Sequence, residues 1–249
     1  MEWAATQVGL LHRISNIVAS ELSLDQILGE LVGITVQVTG CDACLVYLLD
    51  EPSRQLVLRA SQLPHAAELN RLCMELGEGV TGWVAEHKSV VALAENAAMD
   101  PRFKRFAGLV EDTYEAFLSV PLVDAGRVIG VINVHHREPH RHSPEEVALA
   151  AFIGEQMGGA IERARLRDEN QRLQEETLEM KRQLETRKLV ERAKGILQRR
   201  HNLTEEEAYL RLRNESRRMR RPMKDLAEAI ILAEDMGRTA GGSGPVTEA

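Results

Sequence analysis

The sequence predicts an α+β chain: an antiparallel sheet with flanking helices, then a helical coiled-coil linker, then a small three-helix bundle. Three observations carry that expectation. Runs of strand-forming residues, ACLVYLL (43–49), QLVLRAS (55–61), EAFLSVPLV (115–123) and RVIGVINVHH (127–136), come in pairs joined by turn residues, with helical signals before and after them. The stretch 165–188 contains no Gly or Pro and consists almost wholly of helix formers. Beyond 189, three short apolar-periodic segments are separated by helix stop and start signals.

The elements follow in order. Val8, Leu11, Ile14, Ile17 and Val18 recur at helical spacing over 4–20. Ser23 with Gln26 three residues on reads as a capping box opening a helix through Ile27, Leu31 and Ile34. The first strand pair is joined by DEPS and the second by DAGR, a hairpin turn, and an irregular middle holds the closely spaced Gly77, Gly79 and Gly82. Helices are expected on one side of the resulting sheet. Ser143-Pro144-Glu145-Glu146 opens the next helix, with serine as cap and proline at the first helical position. Leu166, Asn170, Leu173, Thr177, Met180 and Leu184 then alternate spacings of four and three, a heptad seam that predicts a parallel dimer; a plain amphipathic surface helix is the other reading. Leu189, Val190, Ala193, Ile196 and Leu197 form one apolar face, and His201-Asn202-Leu203 ends that helix. Thr204 and Glu207 form a second capping box before core positions Ala208, Leu212 and Ser216. Pro222 starts a third helix with Leu226, Ala229, Ile230 and Ala233 inward. The expected organisation is therefore a sensory domain at 1–164, a linker at 165–188, the bundle at 189–236 and a disordered Gly-rich tail at 237–249.

Composition narrows the function classes. An apolar fraction of 44% and a charged fraction of 28% suit a soluble globular chain, and no apolar run approaches a bilayer span. The N-terminal MEWAATQVGLLHRIS lacks a basic segment before an apolar core, so it is not read as a secretory signal. Three cysteines, Cys41, Cys44 and Cys73, fit a reducing cytoplasm better than a disulfide framework. They read as core residues, short of a tetrahedral all-cysteine metal site. His135 and His136 point to opposite faces of a strand, and His140 and His142 flank Pro139 in a loop; the four read as loop and edge histidines, not as a metal site. Charge is uneven: residues 187–224 hold thirteen Lys/Arg and five Asp/Glu, 13 − 5 = +8, leaving −7 − 8 = −15 for the remainder. A basic module on an acidic body suggests a polyanionic partner for that module.

Two stretches resemble known families. LGEGVTGWVAEHKSVV, the Asn96…Asp100-Pro101-Arg102-Phe103 stretch and SVPLVDAGRVIGVINV, in that order, resemble a GAF domain over about 22–164. The resemblance implies a small-molecule pocket on one sheet face, walled by Trp83, Phe103, Tyr114 and Phe117, with Asn96, Asp100 and His135 as polar contacts; the same aromatics could instead only fill core. GAF-fold enzymes that reduce free methionine sulfoxide would want cysteine in the glycine-rich loop, where this chain has Thr81, so no catalysis is expected. The cyclic-nucleotide signature is also unmet: Ala97 follows Asn96, and Glu111-Asp112 stand in reversed order. The ligand stays unnamed.

ERAKGILQRRHNLTEEEAYLRLRNESRRMRRPMKDLAEAI is similar to the ANTAR domain over about 187–236, through Ala193-Lys194-Gly195-Ile196-Leu197, Leu203-Thr204-Glu205-Glu206-Glu207-Ala208, Leu212, Ser216 and Leu226-Ala227. That resemblance implies binding of RNA stem-loops with paired hexanucleotide loops by a dimer, so that an antiterminator forms at the expense of a terminator. Lys194, Gly195, Arg199, Ser216, Arg217, Arg220 and Arg221 are the expected RNA-binding residues: cations for phosphates, and a glycine for close approach of a loop backbone. The combined expectation is a cytoplasmic, signal-responsive antitermination regulator, homodimeric through the coiled coil, with no membrane association. A dimeric scaffold docking an acidic protein, or a redox or metal sensor, is the alternative.

Overall fold

The computed structural model describes residues 2–63, 67–106, 109 and 113–240. The chain divides into two compact units, Met1–Asn170 and Gln171–Ala249.

The first unit is built on a six-stranded antiparallel sheet in the order β3-β2-β1-β6-β5-β4. The strands are β1 (Ala43–Asp50), β2 (Gln55–Ser61), β3 (Cys73–Glu75), β4 (Val91–Leu93), β5 (Ala116–Asp124) and β6 (Arg127–His136). The β1–β2 turn is held by Asp50, whose Oδ2 accepts from the Ser53 amide (3.1 Å) and hydroxyl (2.6 Å). The β5–β6 hairpin turns through Ala125 and Gly126, both at positive φ (47° and 79°), the geometry whose twist suits a two-residue hairpin.

β1, β5 and β6 are apolar on both faces because both faces are covered. Cys44, Val46, Leu48, Leu118, Val120 and Leu122 pack with α1 (Glu2–Ala19), α2 (Leu24–Thr39) and the N-terminal part of α4 (Pro144–His201). The alternate residues Leu45, Tyr47, Phe117 and Val131 pack with α3 (Gly79–His87). Helices therefore cover both faces rather than one. The irregular glycine-rich middle is the reason: it folds into α3, whose Val80, Val84 and Ala85 are buried against the sheet. Close helix–sheet approach on the first face depends on glycine: a Cβ on Gly154 would lie 2.5 Å from the Pro121 carbonyl oxygen, and one on Gly158 would overlap that of Val123.

Both capping boxes are present. The Ser23 hydroxyl accepts from the Gln26 amide while the Gln26 side chain accepts from Ser23 N–H, and Thr204 and Glu207 repeat the arrangement at α5 (Glu205–Met219). α4 is one uninterrupted helix of 58 residues, so the expected linker and the first bundle helix are continuous with the helix opened at Ser143-Pro144. No Gly or Pro occurs between Ala160 and Lys194 to stop it. It ends at His201, where Asn202 takes a left-handed conformation (φ 53°) and the Leu203 amide donates to the Gln198 carbonyl.

In the second unit, Ala193, Leu197, Ala208, Leu212 and Ala227 form the buried core, joined by partly buried Leu189, Val190, Leu203, Met223, Leu226 and Ile230. The phase of α6 (Met223–Ala240) corrects two expected core positions. Ala229 and Ala233 are exposed, and Ala227 and Ile231, one helical turn apart, are buried instead. Three of these five residues are alanines; Leu197 and Leu212, with Ile196 and Ile231 also buried, supply most of the apolar burial of the unit at about 1.5–3 kcal/mol per side chain, beside which a cap contributes about 1 kcal/mol. Of the expected tail, Gly237 to Ala240 continue α6, and 241–249 lie outside the described residues.

Candidate functional site

The basic segment is organised by the end of α5. Arg220 caps the helix in the left-handed conformation (φ 53°, ψ 38°), its amide donating to the Arg217 and Ser216 carbonyls. The Arg221 amide also donates to the Ser216 carbonyl (3.1 Å), and the Ser216 hydroxyl donates to the Arg221 carbonyl. Ser216 thus spends its hydroxyl on fixing the turn. Arg217, Arg220 and Arg221 are exposed and meet no carboxylate among the described residues.

Several other cations of this unit are neutralised, while Arg187, Lys188, Arg199 and Arg211 also meet no carboxylate among the described residues. Arg192 pairs with Asp235 (3.0 Å), Arg200 with Glu234 (2.7 Å) and Arg218 with Glu215 (2.8 Å). Lys194 belongs to this second set. Its side chain is only 7% exposed, and its Nζ donates to Glu191 (3.0 Å) and Glu205 (2.8 Å). Those hydrogen bonds, Glu205 first and then Glu191, raise its pKa, and they clamp α4 to the first turn of α5. Its neighbours on α4 differ: Arg199 is exposed, and a Cβ on half-buried Gly195 would meet the Arg199 guanidinium at 3.6 Å, an ordinary contact. The fold of the unit does not require glycine there. Along α4 the seam residues Leu166, Leu173, Met180 and Leu184 are 54%, 50%, 68% and 54% exposed.

In the first unit, the space between the sheet and α3 is a cavity of about 20 Å³, lined by Leu45, Tyr47, Met74, Gly79, Val80, Thr81, Phe103, Lys104, Phe106, Leu109, Phe117, Asn133 and His135. That is room for about one water molecule and far below the few hundred Å³ of a ligand pocket. Phe103, Phe117 and His135 are brought together here, the last two rings 4.6 Å apart edge to face. The other four expected residues are placed elsewhere. Asp100 holds Arg102 through two hydrogen bonds of 2.9 and 2.8 Å, and the Arg102 guanidinium lies 4.7 Å over Trp83, which stacks on His87 at 4.2 Å. The Arg102 hydrogen bonds hold the Asp100 carboxyl below its ordinary value. The Asn96 amide donates to Glu115, and the Tyr114 hydroxyl accepts from Arg137 Nε at 3.1 Å. Glu111 and Asp112 lie outside the described residues.

Beneath the cavity runs a polar chain that the sequence reading did not single out. The Ser119 hydroxyl donates to Asn133 Oδ1 (2.8 Å), and Asn133 Nδ2 donates to Thr81 Oγ1 (2.7 Å), all three buried. An asparagine inside the apolar run VIGVINV was the available signal. A larger concavity, about 260 Å³, lies at the end of β1, bordered by Leu48, Asp50, Arg59, Asn70 and Arg165 among others. Cys73 stands apart from the other two cysteines: Cys41 and Cys44 are buried in one core, and exposed Cys73 is on the edge strand two strands from β1. No described helix is long and apolar enough to cross a membrane.

The GAF domain family matches residues 21–162, and the ANTAR domain family matches 178–231. The phosphoenolpyruvate-dependent phosphotransferase system protein of Escherichia coli is 27% identical over 156 residues, 63% of this chain and 21% of that protein. The transcriptional regulatory protein PdtaR of Mycobacterium tuberculosis is 42% identical over 59 residues, 24% of this chain and 29% of that protein. The chain thus spans about a fifth to under a third of these relatives. Among solved structures, the GAF domain of a phosphoenolpyruvate-protein phosphotransferase from Coxiella burnetii superposes with a TM-score of 0.59 at 27% identity, covering 65% of this chain and 95% of that one.

Proposed function

Because this chain belongs to the GAF domain family and carries an ANTAR domain behind it, we propose that it is a signal-responsive regulator of transcription antitermination that binds RNA stem-loops through its second unit. One observation carries the reading. Arg217, Arg220 and Arg221 are held together, exposed and without carboxylate partners among the described residues, at a turn fixed by Ser216, whereas Arg192, Arg200 and Arg218 of the same unit are paired. Such a cluster suits phosphates and the splayed bases of an RNA loop. Arg199, beside a glycine open enough to admit a backbone, extends the surface on α4. Lys194 acts as a positioning residue, setting where α5 begins.

Dimerisation through the exposed Leu166–Leu173–Met180–Leu184 seam would supply two such surfaces for two loops. The sensor acts only if its signal favours one arrangement of that dimer over another. The one-water cavity above Ser119–Asn133–Thr81 must open if a small molecule is to enter there.

The test uses the full chain, an RNA with two six-nucleotide loops on stems, duplex DNA and heparin, each over a salt series. The expected result is preferential binding of the two-loop RNA with a linear dependence of log K on log salt. Equal binding to all three polyanions would leave a generic charge patch and overturn the reading.

A further inference from the structure

We propose that the junction of β6 and α4 is a binding site for a divalent transition metal of the zinc class, with His136, His140, His142 and Glu146 as ligands. One candidate ligand atom from each of the four lies within 4.8 Å of all the others. Strand alternation separates His136 from His135, which faces the cavity, and sends it to the side where the loop returns. That loop is tethered: the His140 amide donates to the Ala94 carbonyl at 2.9 Å, and the Glu115 amide donates to the His136 carbonyl at 3.0 Å. The His136 and His140 rings stack at 3.9 Å, and the His142 ring lies 5.2 Å from His136 and 4.7 Å from His140. Glu146, in the first turn of α4, receives His140 Nε2 at 3.2 Å on each oxygen and His142 Nδ1 at 3.3 Å; its Oε2 also accepts from the Ser143 amide at 3.3 Å.

The second, independent observation is the state of the nitrogens. The His142 side chain is 1% exposed and His136 is 6% exposed, yet the Nε2 atom of each is buried and meets no hydrogen-bond partner among the described residues. Buried imidazole nitrogens normally have partners, so two orphans in one cluster with a third imidazole and a carboxylate point to a ligand that all four share. Burial first, then the neighbouring His140 and His142, lower the His136 pKa to about 4. Burial opposes ionisation of Glu146, but hydrogen bonds from His140 and His142 outweigh it and keep the carboxyl below its ordinary value.

Three imidazoles and one carboxylate match zinc, cobalt, nickel or copper; calcium and magnesium would want oxygen ligands. Zinc–nitrogen bonds of about 2.0–2.1 Å in a tetrahedron put ligand atoms roughly 3.4 Å apart. The ligand atoms would close by about 1.4 Å at the widest and the His136 and His140 rings, now stacked 12° from parallel, would turn so that their in-plane lone pairs converge; a bound ion would then clamp the start of α4 to the end of β6.

The experiment uses tag-free full-length protein stripped with a chelator and titrated with Co²⁺ alone, then with Zn²⁺. The expected result is one equivalent of Co²⁺ per chain with the intense visible bands of a tetrahedral ion, displaced by Zn²⁺. His140→Gln, at a side chain 36% exposed, and Glu146→Gln should each weaken binding by about 10-fold or more, while exposed His12→Gln leaves it unchanged. Absence of a stoichiometric tetrahedral Co²⁺ signal in the parent protein, or binding unchanged in both His140→Gln and Glu146→Gln, would overturn the assignment. The parent titration decides the matter even if a variant fails to fold.

Discussion

Arg220→Gly should separate folding from RNA binding within one residue. Arg220 follows the last turn of α5 at φ 53° and ψ 38°. A side chain in that left-handed region costs about 1–2 kcal/mol, which is why glycine commonly stands after a helix. Glycine would remove that cost, less about 0.5–1 kcal/mol for the greater freedom of its unfolded chain. The net expectation is a stability of α5 between unchanged and about 1.5 kcal/mol higher, read as amide exchange over 205–221 that is equal or up to about 12-fold slower. The backbone hydrogen bonds from Arg220 to Arg217 and Ser216 and from Arg221 to Ser216 survive the change because none involves the guanidinium. Loss of the guanidinium should cost about 1–3 kcal/mol of binding, about 5- to 150-fold for the two-loop RNA. Two results would contradict this assignment of Arg220: parent-like RNA affinity, meaning Arg220 touches no RNA, or faster exchange, meaning the arginine side chain was holding the turn.

Three further outcomes are expected. Lys194→Gln should speed exchange at the start of α5 and leave the salt slope of RNA binding unchanged, whereas Arg221→Ala should lower that slope by about 1; a matching loss of slope in Lys194→Gln would mean that its ammonium reaches phosphate despite Glu191 and Glu205. Gly158→Ala, which drives a methyl into the Val123 carbonyl, should lower the denaturant midpoint of the first unit by the equivalent of about 1–3 kcal/mol, and an unchanged midpoint would show that α4 can lift from β5 at little cost. Thiol labelling should find exposed Cys73 fast, and Cys41 and Cys44 slow until unfolding. Burial raises both buried thiols above the ordinary 9.0, so their contribution to stability is complete below pH 9 and is lost as pH rises beyond it, where unfolded thiols ionise and folded ones do not; stability that rises above pH 9 would contradict this.

Much of the fold was legible because its signals are local. Ser23–Gln26 and Thr204–Glu207 each satisfy their helix start within four residues, and 43–49 and 127–136 carry apolar residues on both faces. The site was less legible. Asp100 and Trp83 were expected in one pocket, yet Arg102 lies between them and binds each. Lys194 stood in a basic stretch like any surface lysine, and only the return of α5 brings Glu205 to it. Ala229 and Ala233 fit one helical phase as well as Ala227 and Ile231 fit another, and the partner helices choose between them.

The elements, the family of each part and the sign of the charge on each follow from the order of the residues alone, because capping, periodicity and composition act over a few residues. Which charges are paired and which polar groups meet depends on how the segments pack. Carboxylates from separate segments neutralise Lys194, Arg192 and Arg200 and leave Arg217, Arg220 and Arg221 exposed. Likewise His136, His140, His142 and Glu146 are scattered over eleven positions of a strand end, a loop and a helix start, and they become one cluster only when α4 packs back on the sheet. Pairing and ligation depend on distances of a few ångströms, and those are set by packing between segments, not by spacing along the chain.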